Sequence, residues 1–244
     1  MSSHPVSTVK CRVVKCEPLK ASVTRLILQG PSNIRHAPGQ YLELGVVVDE
    51  KQRWLPFSIA NACRCDGKLE LHIQYAQESP ALISLWSKLT QDALLDVRLP
   101  KGNSVLKEGD DAPLLLVAAG TGFAQMKAII EAALDENPAR VVELWWGAST
   151  REALYLDEVA RQWVQQYVHF AYYPVVEHAD DTGFDGVIAR IDHALEQHVT
   201  HVSHYSIFLS GSPGMVYGVV DTLARIGPLT ERIFSDVFSY APRS

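Results

Sequence analysis

The chain has 244 residues, 47% hydrophobic and 20% charged, a composition that excludes disorder and low-complexity scaffolding. That length holds one large domain or two of ordinary size. Lys and Arg number 22 against 28 Asp and Glu, for a formal net charge of −6, and an acidic chain without a basic run suits neither nucleic acid nor anionic membrane as partner. No apolar run reaches the roughly 18 residues that span a bilayer. The start, Met1-Ser2-Ser3-His4-Pro5, lacks the charged and apolar parts of a signal peptide. A cytoplasmic protein is the expectation.

The first part of the chain reads as strands. Residues 9–17 (VKCRVVKCE), 23–28 (VTRLIL), 41–48 (YLELGVVV), 56–60 and 69–75 alternate or run apolar with β-branched enrichment. Turn clusters separate them: Gly30-Pro31-Ser32-Asn33, Pro38-Gly39 and Cys65-Asp66-Gly67. A helical stretch over 81–89 precedes a further strand at 95–99. Short strands at this spacing predict a small antiparallel barrel with one covering helix.

After the polar stretch 107–113 the rhythm changes. Residues 114–119 (LLLVAA) form a continuous apolar run, as a strand buried on both faces requires. A helix over 121–134 ends before Asn137-Pro138. Strands at 141–147, 170–176 and 207–210 alternate with helices at 154–167, 187–198 and 215–226, and a last strand covers 233–238. Alternating strands and helices predict a parallel sheet with helices on both faces. The fold class is therefore a barrel plus α/β: an antiparallel domain over 1–107 and a parallel-sheet domain over 108–244, with a ligand site in the cleft between them.

Four cysteines, Cys11, Cys16, Cys63 and Cys65, read as ordinary thiols, because Cys63-Arg64-Cys65 has no second pair at zinc spacing. His198, His201 and His204 have metal-like spacing, but Thr200 and Ser203 between them point to a loop, and no metal is expected. Three segments are better candidates. Ala119-Gly120-Thr121-Gly122-Phe123 joins a buried strand to a helix, where exposed N–H groups suit a phosphate or a carboxamide. Position 125 is Gln and Gly147-Ala148-Ser149-Thr150-Arg151 brings no ribose-binding acid, so this is not the three-glycine dinucleotide fingerprint. A tight turn without ligand is the alternative. Ser210-Gly211-Ser212-Pro213-Gly214-Met215 stands in the same position after a second buried strand, and two such loops line one edge of a parallel sheet. In the barrel half, Leu55-Pro56-Phe57-Ser58-Ile59-Ala60-Asn61 places Phe57 and Ser58 on opposite faces of a strand.

Taken in order, these segments resemble the ferredoxin–NADP reductase superfamily, and within it the small NAD(P)H:flavin reductases of luminous bacteria. Pro38-Gly39-Gln40-Tyr41, Leu69-Glu70-Leu71-His72, Trp146-Gly147 and Asp236-Val237-Phe238-Ser239-Tyr240 extend the resemblance over nearly the whole chain. It implies an enzyme with a flavin-binding barrel and a nicotinamide-binding α/β domain, hydride passing between stacked rings at their interface.

By that resemblance Tyr41, Pro56, Phe57 and Ser58 line the flavin, with the Ser58 hydroxyl at flavin N5, where it can donate or accept. His72 is either a strand histidine bonded to backbone or a flavin-edge contact. Asp236 and Phe238 close the pocket edge. Gly120, Thr121, Gly122 and Phe123 support the nicotinamide, facing Gly211, Ser212, Pro213 and Met215. Thr150 and Arg151 fall where the family meets the adenosine ribose, and Arg151 is either the ligand of a 2′-phosphate or a solvated surface residue.

Three departures matter. Leu55 stands where the wider family has a flavin-phosphate Arg, with Arg53 two residues earlier, and Gln74-Tyr75-Ala76-Gln77 replaces the family's second phosphate loop. Ser210 also replaces a usual Cys. Without a charged grip on the phosphate, the flavin (FMN, riboflavin or FAD) is expected as an exchangeable substrate reduced by NADH or NADPH. Reduced flavin would then serve a monooxygenase, a luciferase or ferric chelates. The rivals are a reductase with tightly held flavin that serves a protein partner, and a non-catalytic flavin- or nucleotide-binding regulatory module.

Overall fold

The computed structural model describes residues 5–75, 79–179 and 183–243. Its first half is one antiparallel sheet of β1 (Ser7–Pro18), β2 (Val23–Gln29), β3 (Tyr41–Val48), β4 (Lys51–Ser58), β5 (Lys68–Gln74) and β6 (Leu94–Lys101), in the order β4-β3-β6-β1-β2-β5. The two edge strands curl toward each other. Just past β4 the amide of Ala60 donates to the carbonyl of Glu70 at 2.7 Å, so the sheet bends into a half-barrel. Period-two alternation fills its interior: Leu69, Leu71 and Ile73 of β5 meet Leu26, Leu28, Leu42, Leu44 and Val97. The covering helix α1 (Pro80–Trp86) starts at Ser79, whose hydroxyl accepts the amide of Leu82, and it buries Leu85.

The second half is a parallel sheet of β7 (Leu114–Ala119), β8 (Val142–Ala148), β9 (Phe170–Val176), β10 (Val187–Ile188), β11 (Ser206–Ser210) and β12 (Ile233–Phe234), in the order β10-β9-β8-β7-β11-β12. The LLLVAA run explains its layering. Leu114, Leu116 and Ala118 pack with Phe123, Met126 and Ile130 of α2 (Phe123–Glu136) and Ala160 of α3 (Asp157–Gln166). Leu115 and Val117 point the other way, to Leu195 of α4 (Ile191–His198) and Val216, Val219 and Leu223 of α5 (Pro213–Ile226). The chain leaves β7 on one side and returns through β11 on the other. The carboxyl ends of these two neighbours mark the point where the strand order reverses, the usual place for a ligand in such sheets.

Several predicted elements change at their ends. The strand expected at 56 begins at Lys51, because Asp49 and Glu50 make a hairpin turn with φ of 49° and 60° and no glycine announces it. The helix expected over 187–198 first adds β10 to the sheet edge, Val187 in register with Val175, and coils only from Ile191. The strand expected over 233–238 stops at Phe234. There the Ser235 hydroxyl accepts the amide of Val237 at 3.3 Å and opens the one-turn helix α6 (Val237–Tyr240). Among the described residues no helix is long and apolar enough to cross a membrane, and no group of three His, Cys, Asp or Glu side chains could hold a metal ion.

Candidate active site

A cleft of about 680 Å³ separates the two halves. Its barrel wall follows from strand parity: Trp54, Pro56 and Ser58 of β4 face the cleft, whereas Leu55 packs on the barrel core. Phe57 packs on that core and also borders the cleft. Pro56 is tolerated because β4 is an edge strand. Ser58 lies opposite Tyr41 in the β3 register, and among the described residues its hydroxyl bonds no protein group. It borders the open cleft.

The opposite wall is built from the turns after β7 and β11. Gly120 to Gly122 form a single tight 3-10 turn, and the Trp146 indole N–H holds the Gly120 carbonyl at 3.0 Å. Gly122 is required there, since a Cβ would lie 2.2 Å from the Ser210 carbonyl oxygen. After β11, the Ser212 hydroxyl accepts the amide of Met215 at 3.3 Å and caps α5, with Pro213 as its first residue. Gly122, Gly211 and Ser212 therefore look across the cleft at Ser58.

Asp236 ties the two walls together. Its carboxylate accepts the amides of Asn103 at 3.2 Å and Ser104 at 3.4 Å, and Gln125 Nε2 at 3.2 Å. Gln125 Nε2 also donates to the Gly39 carbonyl at 2.7 Å. Burial raises the Asp236 pKa above the ordinary carboxylate value, against the opposing pull of these hydrogen bonds.

A second cavity of about 330 Å³ continues along the carboxyl edge of the parallel sheet. Gly120, Gly147, Ser149, Tyr155, Glu177 and Met215 border this groove, and it shares Ala119, Thr121 and Ser212 with the cleft. The two cavities meet at that turn.

The expected residues divide accordingly. Tyr41, Pro56, Phe57, Ser58, Gly122, Gly211 and Asp236 line the cleft, Gly120 and Met215 the groove, and Thr121 and Ser212 both. Four lie elsewhere. Phe123 is fully buried and stacks on Trp146 with centroids 3.9 Å apart, because the first residue of α2 points into the core. Pro213 is on the exposed first turn of α5. Phe238 packs beside Tyr217 in the layer under α4 and α5. Arg151 is exposed on a 3-10 turn beyond the groove wall. Arg53 shares the strand face of Leu55 and not that of Pro56. Gln74 borders the groove, while Ala76 and Gln77 lie outside the described residues.

His72 corrects the expectation of a backbone partner. Although the residue borders the cleft, its ring is fully covered, Nε2 at 2.9 Å from Glu70 Oε1 and Nδ1 at 3.0 Å from the Tyr155 hydroxyl. Burial pushes the Glu70 pKa up, but the His72 hydrogen bond and the charges of Lys127 and Arg25 outweigh it and hold the group at about 2. An ionised Glu70 requires the proton on Nε2, so Nδ1 accepts from Tyr155.

Glu43, Trp54, Gln125 and Tyr240 also line the cleft. Parity with Pro56 and Ser58 would have found Trp54, and the Asp236-Val237-Phe238-Ser239-Tyr240 motif contained Tyr240. Nothing local marks Glu43 or Gln125.

A half-barrel facing a parallel sheet, with one cleft spanning both, is the architecture found in ferredoxin–NADP reductase-like oxidoreductases, to which this chain is similar. Residues 116–221 match the family described as the oxidoreductase NAD-binding domain. Along its length the chain is similar to the NAD(P)H-flavin reductase of Vibrio harveyi, 28% identical over 239 residues that cover 96% of this chain and 99% of that one. Reductase component 2 of the Comamonas terephthalate 1,2-dioxygenase is 28% identical over 91% of this chain and 65% of its own length. Among solved structures, the Amycolatopsis cytochrome P450 reductase GcoB superposes with a TM-score of 0.86 at 26% identity, over 96% of this chain and 70% of that one.

Proposed function

We propose that this chain is an NAD(P)H:flavin oxidoreductase whose flavin enters and leaves the cleft as a substrate. The observation that carries this reading is the placing of the unengaged Ser58 hydroxyl opposite Gly122 and Gly211 in a cleft that continues through Thr121 and Ser212 into the groove. A flavin bound there would supply the chemistry, as the acceptor of hydride from a reduced nicotinamide. The chain's own residues orient and enclose. Ser58 would donate to or accept from the N5 position, Tyr41 and Pro56 would flank the ring, and Thr121 with Ser212 would support the nicotinamide. We assign flavin binding to the barrel domain, 1–107, and nucleotide binding to 108–244.

The phosphate end of the cleft supports exchange. Leu55 is turned into the barrel core. Of the nearby cations, Lys101 pairs with Glu43 at 2.8 Å and Arg98 stacks on Trp54 at 3.8 Å. Reduced flavin released into the cytoplasm would feed a monooxygenase. Desalted protein should be colourless, and it should consume NADH or NADPH when riboflavin, FMN or FAD is added. Stoichiometric retained flavin would favour the tightly bound rival, and no turnover with any pair would favour a regulatory module.

A further inference from the structure

Behind the cleft lies a buried ionic cluster drawn from both halves of the molecule. Lys127 and Glu131, one turn apart on α2, form an ion pair at 2.7 Å. Each also grips barrel backbone. Lys127 Nζ donates to the Ala60 carbonyl at 3.0 Å, and Glu131 Oε2 accepts the Ala62 amide at 3.1 Å. Lys127 Nζ also lies 3.4 Å from Glu70 Oε2, and its side chain is only 10% exposed.

A buried ammonium is a poor way to gain stability, since an apolar side chain of similar volume often does as well. This one fixes a particular peptide. Ala60, two residues after Ser58, is held through its amide by Glu70 and through its carbonyl by Lys127. Ile59 is held through its amide by the Gln40 carbonyl, and Gln125 of the same α2 binds the Gly39 carbonyl. α2 begins directly after the Gly120–Gly122 turn. One helix thus connects the turn on one wall to the backbone just before Tyr41 and just after Ser58 on the other.

We propose that Lys127 is a positioning residue: through the Ala60 carbonyl it sets the distance between Ser58 and the Gly122 turn, and with it the approach of the two rings. The proposal rests on the hydride-transfer function above. Errors of about 1 Å in such an approach cost on the order of a hundredfold in rate.

The test compares Lys127→Met and Lys127→Arg in the full chain. It uses single-turnover hydride transfer at saturating flavin, the isotope effect with 4-deuterated nicotinamide, flavin affinity, and amide exchange over 59–62. The Met variant should transfer hydride about tenfold or more slowly with a changed isotope effect, while flavin affinity stays within about threefold. Its exchange over 59–62 should rise, with β1, β2 and β6 protected as before. The Arg variant should recover most of the rate. If the Met variant does not fold, Glu131→Gln loosens the same grip and takes the same measurements. Hydride transfer within about twofold of wild type, or unchanged exchange over 59–62, would overturn the proposal. A wild type that reduces no flavin would instead overturn the function proposed above, and the exchange measurement would then decide Lys127 alone.

Discussion

Replacing Gly122 with Ala should damage the nucleotide side of the site and leave the flavin side nearly intact. The added Cβ would stand 2.2 Å from the Ser210 carbonyl oxygen and 2.7 Å from its carbon, where ordinary contact begins at 3.4 Å. Both obstacles are backbone, so the turn after β7 or the end of β11 must retreat by about 1 Å. A displacement of that size costs on the order of a hundredfold in rate, and overpacking costs about 1–3 kcal/mol of stability. At about 2–4 °C per kcal/mol for a chain this long, Tm should fall by several degrees. Two other glycines separate steric from conformational causes. Gly120 has open space around its Cβ position but φ of +53°, so Gly120→Ala should lower Tm through backbone strain of about 1–2 kcal/mol with little displacement. Gly214, in α5, has open space and no unusual φ, and Gly214→Ala should be neutral or stabilising. Steady-state kinetics with varied NADH and NADPH, together with thermal melting, read all three variants. A Gly122→Ala enzyme no slower than Gly120→Ala would refute the steric reasoning.

Three further outcomes are expected. Ser58→Ala removes the unengaged cleft hydroxyl proposed above to meet the flavin and should slow flavin reduction by about 10–100-fold at near-constant flavin affinity; an unchanged rate in stopped-flow absorbance would remove Ser58 from the site. Glu177 borders the groove with a carboxylate that repels a 2′-phosphate, so Glu177→Gln should lower KM for NADPH relative to NADH, and a constant ratio would place the phosphate elsewhere. His36 and His72 are buried neutral, burial holding His36 down at about 4 and His72 below its ordinary value. The unfolded chain therefore protonates first as pH drops through about 6.5, and each histidine should lower stability by up to about 1.4 kcal/mol per pH unit from there toward its folded pKa. Tm measured from about pH 8 to 4.5 should be level and then fall, and a profile level throughout would contradict that burial.

What could be read in the chain and what could not follow from the range of the forces involved. The run 114–119 announced a two-faced buried strand because every residue in it is apolar, and the alternation in 69–73 announced a barrel wall; both signals lie within a few neighbouring residues. The motif Gly120-Thr121-Gly122-Phe123 located a turn but not the phase of the helix that follows. Phe123 was therefore expected at the ligand, although its ring points inward to Trp146. Phe238 failed similarly: once Ser235 starts a helical turn, Phe238 and Tyr240 no longer share a strand face, and only Tyr240 reaches the cleft. The contacts that join the two halves have no local signal at all. Glu70 meets Lys127 across 57 residues and His72 meets Tyr155 across 83. Each of these groups reads as an ordinary polar residue until the half-barrel brings β5 against α2. The charges then become buried, their partners become obligatory, and a carboxylate held at about 2 beside a neutral histidine is the electrostatic trace of that closure. The residues that line the cleft were open to pattern reasoning, whereas the charged and polar groups that join its two walls exist as a group only in the folded chain.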